Sequence, residues 1–270
     1  MSFQTSNSYE GLQIRPISHL AIEDYSELLS KSFQNFKPDV AYLNWLYFQN
    51  PRGLVFGYDA YDDDVLVAHY ACIPIKIAGY KLDSLLSLNT ATHPDYQGRG
   101  LFKLLASKTF ETASSTFANV IGVANSKSVG GFVKHLGFNA IGSLELRIGQ
   151  LSRKVEGARS YSKEELKWRA ECPGRPLKVV SLGYGANLLS TKPLKLAPSL
   201  KSIVFEERAA ISDPQLNAIG MTLDWRRGVN PMLKLPKCLK PSPLVLIFKP
   251  LLETDSDVLS SFSFPDFDAF

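Results

Sequence analysis

The stretch from His93 to Ala106, HPDYQGRGLFKLLA, constrains this chain more than any other. It follows residues 85–92, LLSLNTAT, that read as a strand. It turns at Gly98 and Gly100 and then gives Leu101, Leu104, Leu105 and Phe110 at helical spacing. A strand, a glycine turn and a helix in that order call for layered α/β architecture. The same order can hold an anion. The first N–H groups of a helix lack partners within it, its dipole adds partial positive charge there, and glycine lets the backbone come close. Arg99 adds a cation. Glycine spacing alone leaves two readings open, a phosphate-cradling loop and a tight turn that binds nothing.

The flanking sequence supplies the rest of a mixed domain. Residues 12–15 read as a short strand ending at Pro16, and Ile22, Tyr25, Leu28, Leu29 and Phe33 form one apolar helix face behind Ser18 as N-cap. Residues 54–92 are rich in β-branched and aromatic types, with hairpin tips at 62–64 (DDD) and 78–81 (AGYK), and predict three or four antiparallel strands. Residues 117–124 read as a buried strand, 127–138 as a short helix stopped by Gly137, and 140–151 as a final strand. This gives an α/β domain over 1–150, followed by a second domain over 151–270. The second opens with a polar connector and one exposed helix at 151–175, then strands within 176–185 and 243–252. LNWLYFQNP (43–51) and LDWRRGVNP (223–231) share Leu, Trp, Asn and Pro at the same offsets. The match leaves open a partial, divergent copy of the first half in the second.

Composition narrows the function classes. In 270 residues, 45% hydrophobic and 21% charged side chains describe an ordinary globular protein. A net charge of +4 from scattered basic residues argues against nucleic acid as a partner. Cys72, Cys172 and Cys238 lie far apart, with no metal-ligand spacing and no disulfide framework, which fits a reducing cytoplasm and no metal site. The N-terminus has no secretory pattern, and the longest apolar runs, such as LVLIF at 244–248, are too short to span a bilayer, so no membrane role is expected.

The longer pattern around the loop resembles the cofactor motif of the GNAT acetyltransferase superfamily. Gln97, Gly98, Arg99, Gly100, Leu101 and Phe102 occupy the Q/R-x-x-G-x-G/A positions, Thr90, Ala91 and Thr92 end the preceding strand, Asn125 follows the next one, and LGF at 136–138 closes the short helix. The similarity runs over about residues 12–150 and is closest to a bacterial group with W-x-Y-x-x-N-P-x-G, here Trp45, Tyr47, Asn50, Pro51 and Gly53. It implies a GNAT fold over this part; with the internal match, the C-terminal extension reads as a partial, divergent second GNAT-like half that would complete the acceptor wall, form a pseudo-dimer with the first half or mediate oligomerisation.

The resemblance implies acetyl-CoA, or another acyl-CoA, as cofactor. Its diphosphate would lie on the N–H groups from Gly98 to Phe102, and its pantetheine arm beside Thr90–Thr92. A primary amine of a small molecule, an amino sugar or a nucleotide-linked amino sugar, would attack directly, with no protein nucleophile. Monomer and homodimer are both compatible. Two other readings stand beside this one: a non-catalytic CoA-binding scaffold, and a tandem-GNAT aminoacyl transferase, against which the intact glycine loop argues.

The sequence departs from the family at two places. Phe102 stands where a small residue is usual, and Val133 stands where many members carry a tyrosine that protonates the leaving thiolate. Glu145, Asn89 and His69 are the candidates for orienting or deprotonating the amine. His69 reads first as a satisfied strand histidine, His93 as a solvated or capping residue, and His135 as a solvent-facing one. Trp45 and Tyr47 suit an acceptor pocket or a core. Cys72 reads as a buried structural thiol.

Overall fold

A computed structural model describes residues 11–33, 37–150, 159–174, 177–181, 186–190, 203–205, 219–229, 232–236, 243–252 and 259–263. The chain begins with strand β1 (Leu12–Pro16), helices α1 (Ile22–Ser32) and α2 (Val40–Phe48), and the antiparallel strands β2 (Phe56–Asp62), β3 (Val65–Ile77) and β4 (Ser84–Thr92). Helix α3 (Leu101–Ala113), strand β5 (Asn119–Asn125), helix α4 (Val129–Leu136) and strands β6 (Asn139–Ser143) and β7 (Glu145–Gln150) complete the first part. The second part contributes β8 (Arg159–Ser160), α5 (Lys163–Ala170), β9 (Leu177–Ser181), β10 (Ala186–Ser190), β11 (Ile203–Phe205), β12 (Ile219–Arg226), β13 (Leu233–Lys234), β14 (Leu244–Pro250) and β15 (Ser261–Ser263).

The central sheet runs β1-β2-β3-β4-β5-β14-β6. Two apolar clusters cover its faces. Helices α1 and α2 supply Tyr25, Leu29, Leu43 and Leu46 to one, and α3 and α4 supply Leu101, Leu105, Phe110 and Phe132 to the other. Helix α1 matches its sequence pattern: Ile22, Tyr25, Leu28 and Leu29 are buried on one face. Helix α2 is apolar on most sides and buried, so it offers the sequence no stripe to detect. Ser18 caps a short 3₁₀ turn before α1, accepting from the Leu20 N–H, and Asp39 caps α2, accepting from the Tyr42 N–H.

Three expectations need correction. The segment after α4 is two strands, not one. Leu144 is buried at the junction, and beyond it β7 leaves the central sheet for a second one, ordered β13-β7-β12-β15. The helix of the connector, α5, is not exposed. Its polar residues made it look solvated, but Glu165 and Arg169 are buried along with Leu166 and Trp168, with Glu165 ion-paired and Arg169 over indole rings. The two nine-residue segments that share Leu, Trp, Asn and Pro fold differently: Leu43 to Phe48 is helical, whereas Leu223 to Arg226 is strand.

Nor does the central sheet end at residue 150. β14 lies between β5 and β6, antiparallel to both, and buries Leu246, Ile247 and Phe248. The division between 1–150 and 151–270 is therefore one of chain order and not of sheets. Trp225 on β12 adds a further contact, since a Cβ at Gly142 on β6 would stand 2.3 Å from its indole nitrogen. Among the described residues no helix is long and apolar enough to cross a membrane.

Candidate active site

Strands β4 and β5 are the parallel pair of the central sheet, and they stay together only briefly. Pairing runs from Leu85↔Val120 to Ser87↔Gly122, while β4 continues to Thr92 and β5 to Asn125. Beyond Ser87 the two strands part. On its other side β4 loses register with β3: Ala71 pairs Leu88 and His69 pairs Ala91, so Asn89 and Thr90 bulge opposite Tyr70. Asn89 takes a left-handed φ of 46°, which asparagine tolerates better than most side chains.

The loop from His93 to Gly100 then crosses to α3. His93 caps a 3₁₀ turn at Pro94–Tyr96, accepting from the Asp95 N–H, as a capping role requires. Gln97 Nε2 donates to the Thr92 carbonyl at 3.2 Å and closes the loop onto the strand end. Tyr96 donates its hydroxyl to Asp62 and ties the loop to the β2–β3 hairpin. Gly98 and Gly100 have φ of 76° and 80°, which explains both glycines. Gly100 is the N-cap of α3 and brings no side chain to its first turn, so the opening N–H groups of the helix face outward uncapped.

A cavity of about 680 Å³ opens over this turn. Thr92, Tyr96, Gln97, Gly98 and Gly100 line it from the strand end and loop, Leu101, Phe102 and Lys103 from the first turn of α3, and Lys127 and His135 from the segment after β5 and from α4. Lys103, Lys127, Tyr96 and His135 were not singled out as ligand-binding in the sequence. The signal for the two lysines was there: one sits in the first turn of α3 and the other two positions beyond Asn125.

Arg99 is absent from that lining. Its guanidinium lies 4.6 Å over the Tyr96 ring and donates to the Asp95 carbonyl at 3.1 Å. Asn125 accepts from the Lys127 and Ser128 N–H groups, both at 3.0 Å, and so shapes the turn that presents Lys127. The Phe102 ring packs edge-on against Phe132 with centroids 5.0 Å apart, and a Cβ at Gly131 would come within 3.2 Å of it. The large residue at 102 is thus accommodated by a small one on α4. Val133 is 38% exposed on the same helix and offers no proton.

The amine-handling candidates do not gather as one group. Glu145, at the start of β7, belongs to the second sheet, where Lys234 Nζ sits 3.0 Å from its carboxylate. Trp45 is 3% exposed and stacked on Trp168, a core position rather than a pocket wall. The motif around it is also structural: Asn50 Nδ2 donates to the Pro74 carbonyl, Asn50 Oδ1 accepts from the Arg52 N–H, and Arg52 bonds Glu165 of α5.

Asn89, Tyr47 and His69, by contrast, meet in a single buried chain of hydrogen bonds. Asn89 Nδ2 donates to Tyr47 Oη at 3.1 Å, Tyr47 Oη lies 2.9 Å from His69 Nε2, and His69 Nδ1 lies 2.7 Å from Asp59 Oδ1. Tyr25 Oη donates to Asp59 Oδ2 at 2.7 Å and accepts from the Ser18 N–H at 2.9 Å. Tyr47, His69, Asp59 and Tyr25 are all buried, and the Tyr25 ring stacks on the imidazole at 4.5 Å. Asp59 and Tyr25 escaped the sequence reading because nothing in their spacing connects them to His69. Burial pushes the Tyr47 phenol far above its ordinary value, so Tyr47 stays protonated and serves as a hydrogen-bond link.

Residues 13–139 match the model of the acetyltransferase (GNAT) domain family. This chain carries a GNAT acetyltransferase domain. Solved structures share the fold well beyond the GNAT segment. A putative acetyltransferase from Pyrococcus horikoshii is 14% identical, with 93% of this chain and 91% of that one covered at a TM-score of 0.54. A probable N-acyltransferase from Enterococcus faecalis V583 is 10% identical, with 89% and 73% covered at 0.59. A GCN5-related N-acetyltransferase from Anabaena variabilis is 11% identical, with 89% and 73% covered at 0.56. At these identities the likeness is one of fold, and it includes the part that follows the GNAT domain. No curated protein matches the sequence.

Proposed function

We propose that this protein is an acetyl-CoA-dependent N-acetyltransferase acting on the primary amine of a small molecule, with amino sugars as the class to try first. The observation that carries the reading is the cavity over the loop before α3, lined by Thr92 at the end of β4 and by Lys127 just past β5. The residues present fit the cofactor. Gly98 and Gly100 clear the backbone for close approach, the uncapped N–H groups from Leu101 onward favour a diphosphate, and Lys103 and Lys127 offset its charge. The freed end of β4, Thr90–Thr92, offers backbone groups to an extended pantetheine chain.

Bound there, acetyl-CoA supplies an activated thioester, and transfer forms a C–N bond, breaks the C–S bond and leaves the amine's proton on the released thiol. The chain's part is to bind and orient. Cys72, the only thiol on the central strands, is buried, and its thiol is pushed up to about 12 by that burial, which makes it a poor nucleophile.

Calorimetry with acetyl-CoA, followed by thiol release in the presence of glucosamine, ethanolamine or spermidine, tests the reading. Binding with amine-dependent release is expected. No binding at millimolar acetyl-CoA overturns it, and binding without release with any amine favours the CoA-binding scaffold instead.

A further inference from the structure

Asn89 is the one residue where the strained backbone, the broken sheet register and the buried hydrogen-bond chain coincide. Its φ of 46° is one of two positive values among the described non-glycine residues, and the other, at Asp63, belongs to a hairpin tip. Strain inside a strand persists where the surroundings hold it in place. Here the holding group is Tyr47, and behind it stand His69 and Asp59.

That chain has a direction. An ionised Asp59 can only accept, so His69 Nδ1–H donates to it, beside the Tyr25 hydroxyl. With a neutral imidazole, Nε2 then accepts from the Tyr47 hydroxyl, and the Tyr47 oxygen is left to accept from Asn89. The amide of Asn89 is thereby fixed with its nitrogen toward the core. Its oxygen takes the other direction. Asn89 is only partly buried, and Oδ1 is not among the polar atoms shut inside without a partner. It sits on β4 two residues past the last pair that β4 makes with β5.

We propose that Asn89 Oδ1 accepts a hydrogen bond from the acceptor amine, and that Tyr47, His69 and Asp59 are positioning residues that aim it. A neutral oxygen in that place can accept from an amine N–H without trapping an ammonium as a carboxylate would. The inference rests on the transferase reading above.

The test uses the full chain. Asn89→Gly deletes the amide and relieves the left-handed backbone, so a folded protein is expected. Its affinity for acetyl-CoA, measured by calorimetry, should stay within about twofold of wild type, while KM for the amine rises about tenfold, the loss of one hydrogen bond. Tyr47→Phe keeps the ring and frees the amide, and should raise the amine KM about threefold with acetyl-CoA affinity unchanged. Asn89→Asp restores an acceptor and should recover part of the loss that glycine causes. An amine KM for Asn89→Gly within twofold of wild type overturns the proposal, as does a parallel loss of acetyl-CoA affinity. The two readings fail separately. Wild type that releases no thiol with glucosamine, ethanolamine or spermidine refutes the transferase and this proposal with it. Equal amine KM in wild type and variant refutes only the Asn89 contact.

Discussion

Trp45 and Trp168, 123 positions apart, stack with ring centroids 4.5 Å apart and exchange hydrogen bonds: each indole N–H donates to the other's backbone carbonyl, at 2.8 and 2.9 Å. This reciprocal pair fastens α5 to α2, and so ties the segment after residue 150 to the GNAT domain. Trp168→Ala removes the stack and the bond that the Trp168 indole donates, leaving the backbone carbonyl at 168 to accept from Trp45, and should cost about 3–5 kcal/mol at this buried site. Urea denaturation checks it. Acetyl-CoA affinity should barely move, because neither tryptophan lines the cavity.

A second fastening lies beside the first. Arg52 Nη2 sits 2.7 Å from Glu165 Oε2, and Glu165 also accepts from the Ser162 N–H. Burial works against the Glu165 carboxylate, but the Arg52 and Ser162 hydrogen bonds outweigh it and hold its pKa below the ordinary 4.5. A carboxyl depressed by folding contributes stability that is fully present above its unfolded pKa and is lost as pH falls through the folded one. Glu165→Gln should therefore lower stability at pH 7 by about 2 kcal/mol, the scale of a hydrogen bond to a charged group. The gap between variant and wild type should close as pH drops below 4.5. Thermal melts across pH 3–7 would show the convergence, and a constant gap would mean that charge is not the source.

What the sequence disclosed follows from locality. The glycine turn, the helix behind it and the stop at Gly137 were legible because φ > 0 and apolar spacing leave marks within a few residues. The register of β14 between β5 and β6 left none, since an apolar strand carries no sign of its neighbours. Helix α5 misled in the other direction, because Glu165 and Arg169 look solvated until their partners are known. The site divides in the same way. Gly98 and Gly100 were plain, whereas Asp59 and Tyr25 join His69 only through the pairing of β2 with β3 and the packing of α1.

Cys72 gives a simple check of the interior. Its thiol is fully buried and pushed up to about 12 by that burial, so little thiolate exists at pH 8. Iodoacetamide at pH 8 should leave Cys72 unmodified in the folded protein and alkylate it in urea, as read by peptide mass spectrometry. Rapid labelling of the native protein would mean that β3 opens to solvent.

The cavity separates cations by position rather than by motif. Arg99 lies within the glycine motif, yet its guanidinium covers Tyr96, while Lys103 and Lys127 line the cavity from outside that motif. Lys103→Ala and Lys127→Ala should each weaken acetyl-CoA binding about tenfold at low salt, the worth of one charge-assisted contact to phosphate. The loss should shrink at high salt, where exposed charges are screened. Arg99→Ala should change affinity by less than about threefold, because its guanidinium is turned onto the Tyr96 ring and the Asp95 carbonyl and does not line the cavity. Gly98→Val supplies the complementary case. No protein atom lies within 4 Å of a Cβ built at Gly98, so the variant meets backbone strain at a φ of 76° but no clash. That strain costs about 1–2 kcal/mol of stability. The folded variant should bind acetyl-CoA at least about tenfold more weakly, since a branched side chain stands where close approach of phosphate to the backbone is needed. Calorimetry at low and high salt compares all four variants. If Arg99→Ala lost as much affinity as the two lysine variants, the guanidinium would have to leave Tyr96 when the cofactor binds, and the loop described here would not be its bound form.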